Sequence, residues 1–128
     1  MEINMKPVLK QVPPDQYWGF TYLFDCPGCG DFHGFNETIW QFNGDLVKPT
    51  ISPSILVTWT EFSELGRKQY DEWYAGLRDK NRTGKFDSIT KVCHCFIREG
   101  RIQFLGDCWH ELKGQTVDLP PATPINPD

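Results

Sequence analysis

Residues 88–107 read SITKVCHCFIREGRIQFLGD, and their interpretation decides the fold. Two runs rich in β-branched and aromatic residues flank Glu99-Gly100, the composition of a β-hairpin closed by a two-residue loop. That loop pairs Arg98 with Arg101 and Phe96 with Gln103, and it sets His94 opposite Leu105 and Val92 opposite Asp107. Side chains alternate across a strand. Cys93, Cys95 and Ile97 therefore share the drier face with Ile102 and Phe104, as core thiols, while His94 points to the side of Asp107. A slip of one residue would exchange the two faces.

Upstream of the hairpin, residues 61–87 change character. Tyr70, Trp73, Tyr74 and Leu77 fall at i, i+3, i+4 and i+7, one face of a helix, with Arg67, Lys68, Asp71, Glu72 and Arg78 around them. An aromatic stripe of this kind more often packs on a sheet than binds a partner. Further back, TISPSILVTWT (50–60) reads as a strand with a kink allowed at Pro53. FHGF and TIWQF are short strand candidates, the second ending at the Asn43-Gly44-Asp45 turn. YWGFTYLF (17–24) is aromatic enough for a strand. Residues 1–16 form an extended lead-in, with one edge strand at Val8 to Val12. Downstream, CWHELK (108–113) lies between Asp107 as N-cap and Gly114, which predicts a helical turn or two. TVDLP closes the sheet, and residues 120–128 make a Pro-rich flexible tail. The expected fold is α+β: mainly antiparallel β, as a small sandwich or partly open barrel, with one inserted amphipathic helix and a zinc knuckle.

The 128 residues suit a single domain, 1–128, with 61–87 as a helical insertion. No apolar run approaches the roughly 20 residues of a spanning helix. The opening MEINMKPVLK lacks a signal peptide's apolar segment, so a cytoplasmic protein with no membrane partner is expected. The net charge of −4 weighs against nucleic acid, whose phosphates attract clustered Lys and Arg. Arg78, Lys80, Arg82 and Lys85 come nearest to such a cluster, and Asp79 dilutes it.

Five cysteines cannot all pair internally, and a cytosolic chain rarely pairs any. Cys26-Pro-Gly-Cys29-Gly is instead a metal knuckle, presenting two thiolates to one tetrahedral ion. A redox dithiol is the rival, but such motifs open a helix, and GDFHGF reads as turn and strand. Zinc suits mixed thiolate and imidazole ligation. The favoured ligand set is Cys26, Cys29, His94 and His110, with Asp107 orienting an imidazole. Cys93, Cys95 and Cys108 compete for the same places, Cys108 most closely. His33 faces the pocket or stands on the sheet as an ordinary histidine. HExxH, GxSxG, P-loop and Rossmann glycine patterns are absent from the sequence. Ser52 and Ser54 lie in a strand with no evident base.

The stretches CPGCGDFH, WQFNGDLVKPTISPSILV and CHCFIREGRIQFLGDCWHELKGQTVDLP, taken in order, resemble a family of small phage and prophage zinc-knuckle proteins often labelled ammonia monooxygenase. That label conflicts with thiolate-rich ligation, which favours zinc over oxygen-activating copper. The resemblance implies a phage-encoded protein in the host cytoplasm, holding zinc, with family-like positions at Cys26, Cys29, His33, His94, Asp107 and His110. Cys95 stands where relatives are expected to carry Ser, which marks it as dispensable for the metal. The expected function is an accessory protein that binds a host or phage protein, in counter-defence for example. A zinc-dependent hydrolase using metal-bound water is the alternative, and a virion or assembly component a further one.

Overall fold

In a computed structural model of the chain, residues 6–76 and 86–123 are described. The chain divides into two compact units, one of residues 1–57 and 93–128 and one of residues 58–92. Among the described residues the strands form two sheets and no closed barrel, as an α+β fold dominated by antiparallel pairing. The first sheet orders β1 (Leu9–Gln11), β2 (Tyr22–Cys26) and β3 (Asp31–Phe35) with β2 central. The second orders β4 (Gln41–Phe42), β5 (Ile51–Phe62), β6 (Ser88–Arg98), β7 (Arg101–Phe104) and β8 (Thr116–Asp118) as successive neighbours.

The decisive hairpin keeps its expected register, with Arg98 opposite Arg101, Phe96 opposite Gln103 and Cys95 opposite Phe104. Glu99 and Gly100 both take positive φ, 51° and 79°, the pair of conformations a two-residue turn of this twist demands. Cys93, Cys95, Ile97, Ile102 and Phe104 are all buried, and with Leu9, Leu23, Phe24, Phe35, Ile51 and Ile55 they build the core of the larger unit. Burial of such side chains stabilises by roughly 1.5–3 kcal/mol each.

Several local expectations are revised. Residues 17–20 do not join β2: Gly19 and Phe20 donate backbone bonds to Pro14 and Tyr17, which turns the aromatic run back before Tyr22. TIWQF contributes only Gln41–Phe42 to a strand, because Asn36 Oδ1 accepts from the N–H groups of Thr38 and Ile39 and holds a turn there. CWHELK forms no helix. Cys108, Lys113 and Gln115 donate to the carbonyls of Leu105, His110 and Leu112, three residues back each time, so the segment runs as linked tight turns. Pro53 sits within β5 without interrupting it.

In the smaller unit the helix α1 spans Glu64–Ala75. Ser63 caps it, its Oγ accepting from the Gly66 N–H at 3.0 Å. Gly66 is required by space: a Cβ there would stand 1.7 Å from the Asp87 carbonyl oxygen. Tyr70 and Trp73 pack against Phe86, and Tyr70 also against Phe62, at ring separations of 5.5–5.7 Å. Tyr74 is mostly exposed and stacks on Tyr70. Leu77, Arg78, Lys80, Arg82 and Lys85 lie outside the described residues, as does the tail beyond 123. No helix among the described residues is long and apolar enough to cross a membrane.

Candidate functional site

Alternation along β5 buries Ile51 and Ile55 and turns Ser54 to the opposite face. The neighbouring strand β6 does the same with Cys93 and Cys95 buried and His94 half-buried. The two turned-out residues meet: Ser54 Oγ lies 3.0 Å from His94 Nε2. On the other side of the ring, His94 Nδ1 lies 3.3 Å from Asp107 Oδ2, in the turn that follows β7. With the Nδ1 proton directed at the carboxylate, Nε2 is left as acceptor for the Ser54 hydroxyl proton. Serine, histidine and aspartate are thus linked in the order that activates a hydroxyl for attack on an acyl carbon.

A second cluster lies on the buried side of β6. Cys26 ends β2, and a tight turn closed by a 3.0 Å bond from the Gly30 N–H to the Cys26 carbonyl brings Cys29 back beside it. His33 follows on β3, and Cys93 arrives from β6. Donor atoms of Cys26, Cys29, His33 and Cys93 all lie within 4.8 Å of one another. Cys26 Sγ is 3.9 Å from Cys93 Sγ, and His33 Nε2 is 3.4 Å from Cys29 Sγ. The edges of a zinc tetrahedron with ordinary Zn–S and Zn–N bonds measure about 3.6–3.8 Å, so the spacing fits one ion. The Cys29 N–H and Trp109 Nε1–H point at the sulfurs of Cys26 and Cys29, each at 3.4 Å, and would stabilise thiolate charge.

Without a cation the thiols retain their protons. Cys26 is pushed up to about 12, chiefly by its hydrogen bond with Cys93 and then by burial. Cys93 is also raised: its bond with Cys26 pulls it down, but the bond with Cys95 and burial outweigh that. Burial raises Cys29 as well. A bound cation would reverse this, since thiolate is the ligating form.

Of the four expected donors, Cys26 and Cys29 stand in this cluster, and His33 and Cys93 take the places expected of His94 and His110. His94 is engaged by Ser54 and Asp107, because the face of β6 that meets the knuckle is the drier one carrying Cys93. His110 adjoins the cluster through Cys93, with Nε2 3.8 Å from that sulfur. Its ring is buried, stands edge-on to Phe104 at 4.4 Å, and leaves Nδ1 without a partner among the described residues. Burial disfavours its charged form and lowers its pKa. Gly28 is glycine because the His110 ring occupies the space of a side chain. Cys108 forms a further group with Cys93 and His110, but its sulfur is already bonded to the backbone of His94. Cys95 remains in the core. Ser54 had no sequence signal of its own; the available clue was a His and an Asp on one face of a hairpin, lacking a hydroxyl partner.

Neither a curated protein nor a solved structure is similar enough to count as a match. A family profile described as "Bacterial ubiquitination-like system serine protease (BubE)" matches residues 5–105, a span that contains Ser54, His94 and all four knuckle-cluster donors and stops just short of Asp107. That match covers most of the chain and bears on neither the zinc knuckle nor the phage source expected from the sequence: the chain belongs to the bacterial ubiquitination-like system serine protease (BubE) family.

Proposed function

We propose that the chain is a serine hydrolase that cuts an acyl bond in a protein of a bacterial ubiquitination-like system, with Ser54 as nucleophile. The observation that carries this reading is the Ser54–His94–Asp107 chain of contacts at 3.0 and 3.3 Å. The family description supports the same chemistry. Ser54 Oγ attacks the substrate carbonyl as its proton passes to His94 Nε2, and Asp107 stabilises the imidazolium so formed. Collapse of the tetrahedral adduct expels the leaving amine or alcohol, which takes that proton. Water, activated by the same imidazole, then releases the acyl group. Base catalysis of this kind supplies about 10²–10⁴ in rate. The protein partner expected from the sequence is, on this reading, the substrate.

Zinc, held by Cys26, Cys29, His33 and Cys93, would supply a cross-link between β2, β3 and β6. Three thiolates and an imidazole fill four positions and leave the ion with a net negative shell, a poor arrangement for activating water. Its contribution would be to folding. This favours serine chemistry over a metal-bound nucleophile.

The test is labelling with a fluorophosphonate followed by intact-mass measurement. The wild-type chain should gain one adduct, mapped to Ser54, and Ser54→Ala should gain none. A wild-type chain that stays unlabelled overturns the reading. Metal analysis of the same preparation should find one zinc per chain, lost on chelation together with cooperative unfolding of residues 26–35.

A further inference from the structure

The hairpin ladder ends at His94 in an unusual way. Register places Leu105 opposite His94, and the Leu105 N–H does donate to the His94 carbonyl at 2.9 Å. The reciprocal bond is missing because the Leu105 carbonyl has turned to accept from the Cys108 N–H at 3.2 Å. A half-buried backbone N–H would then be orphaned, which is unfavourable. Cys108 Sγ takes the vacated place. It accepts from the His94 N–H at 3.2 Å, and its own S–H donates to the His94 carbonyl at 3.2 Å. The thiol is 5% exposed, so water does not compete for these bonds.

Cys108 directly follows Asp107. The side chain that pins the His94 backbone therefore also fixes where the turn carrying the Asp107 carboxylate begins. Given the hydrolase reading above, we infer that Cys108 is a positioning residue for the His94–Asp107 pair, not a metal ligand. Its thiol holds the backbone of the base and the root of the orienting carboxylate in one frame, which keeps Nδ1 within 3.3 Å of the carboxylate. Misplacement of a catalytic group by about 1 Å costs up to roughly 100-fold in rate.

The experiment compares Cys108→Ala and Cys108→Ser with wild type, using turnover of an activated ester, zinc content, and hydrogen exchange of the His94 amide. Cys108→Ala should lower kcat by about 10- to 100-fold with KM changed less than about twofold. It should keep one zinc per chain and exchange its His94 amide at least about tenfold faster, because the N–H loses its acceptor. Cys108→Ser, whose hydroxyl can both accept and donate, should recover most of kcat and of the protection. Loss of zinc in either variant overturns the inference in favour of ligation. Unchanged kcat and unchanged exchange in Cys108→Ala overturn it as well. Should Cys108→Ala not fold, Cys108→Val decides against Cys108→Ser: equal kcat in these two removes any role for the hydrogen bonds. Failure of the hydrolase reading is seen separately, as wild type no faster than Ser54→Ala, and His94 exchange then still judges the clamp.

Discussion

Gly28→Ala tests the packing beneath the knuckle. A Cβ at this position would come 2.2 Å from Cε1, 2.3 Å from Nε2 and 2.5 Å from Nδ1 of His110. The shortest of these falls about 1.2 Å short of the 3.4 Å at which ordinary contact begins. The imidazole is 5% exposed and set 4.4 Å from the Phe104 ring centroid, so withdrawing it disturbs buried packing. Overpacking of this kind costs about 1–3 kcal/mol. Taking about 2 kcal/mol, a chain of this size should lose roughly 6–10 °C in Tm. Because His110 lies three residues beyond Asp107, the same displacement should slow ester turnover. Gly30→Ala is the control, since nothing lies within 4 Å of its Cβ but its φ is +71°. Strain alone predicts about 1–2 kcal/mol there and little change in turnover. Thermal melting of both variants, paired with kinetics, checks the argument. A Gly28→Ala chain as stable and as active as wild type would refute it, because the close approach to His110 would then not exist.

Three further outcomes follow from other sites. Asp107→Asn should lower kcat by about 10²–10⁴ in an ester assay while fluorophosphonate labelling of Ser54 persists at a reduced rate; undiminished turnover would remove Asp107 from the catalytic group. Ser63→Ala should cost about 1 kcal/mol in urea denaturation, through the cap lost from the Gly66 N–H, and no change would mean water replaces it freely. Asp45 is held below the ordinary aspartate range, first by the Lys48 backbone N–H and then by that of Val47. A depressed folded pKa gives stability that is present above the unfolded value and lost as pH falls through the folded one. Asp45→Asn should therefore lower the urea midpoint at pH 6, and the gap to wild type should close below about pH 4; a gap independent of pH would contradict this.

The hairpin was legible because its information is local. Glu99-Gly100 sets the turn, the turn sets the register, and the register sorts Cys93 from His94. The helix was legible for a similar reason, with aromatics at helical spacing. The proposed nucleophile was hidden because Ser54 and His94 are 40 residues apart and meet only when β5 lies beside β6. No sequence pattern around Ser54 announces that pairing. The knuckle thiols were readable from CxxC spacing, but their remaining donors were not. Hairpin alternation tells which residues share a face, and only tertiary packing tells which face meets the knuckle. Burial of Cys93 was foreseen as the mark of a core thiol; what burial alone could not reveal was another sulfur 3.9 Å away. The CWHELK segment misled because its flanking Asp and Gly serve tight turns as well as helix caps.

Cys93 and His94 are adjacent in sequence, yet one joins a Cys/His cluster able to hold an ion and the other meets a hydroxyl on the reverse of the same ribbon. No spacer separates them that could absorb a codon gained or lost. Any length change that slides this stretch against its neighbours swaps both assignments at once. An insertion or deletion here would therefore abolish the proposed ion site and the proposed bond cleavage in one event, whereas a point substitution could remove either alone.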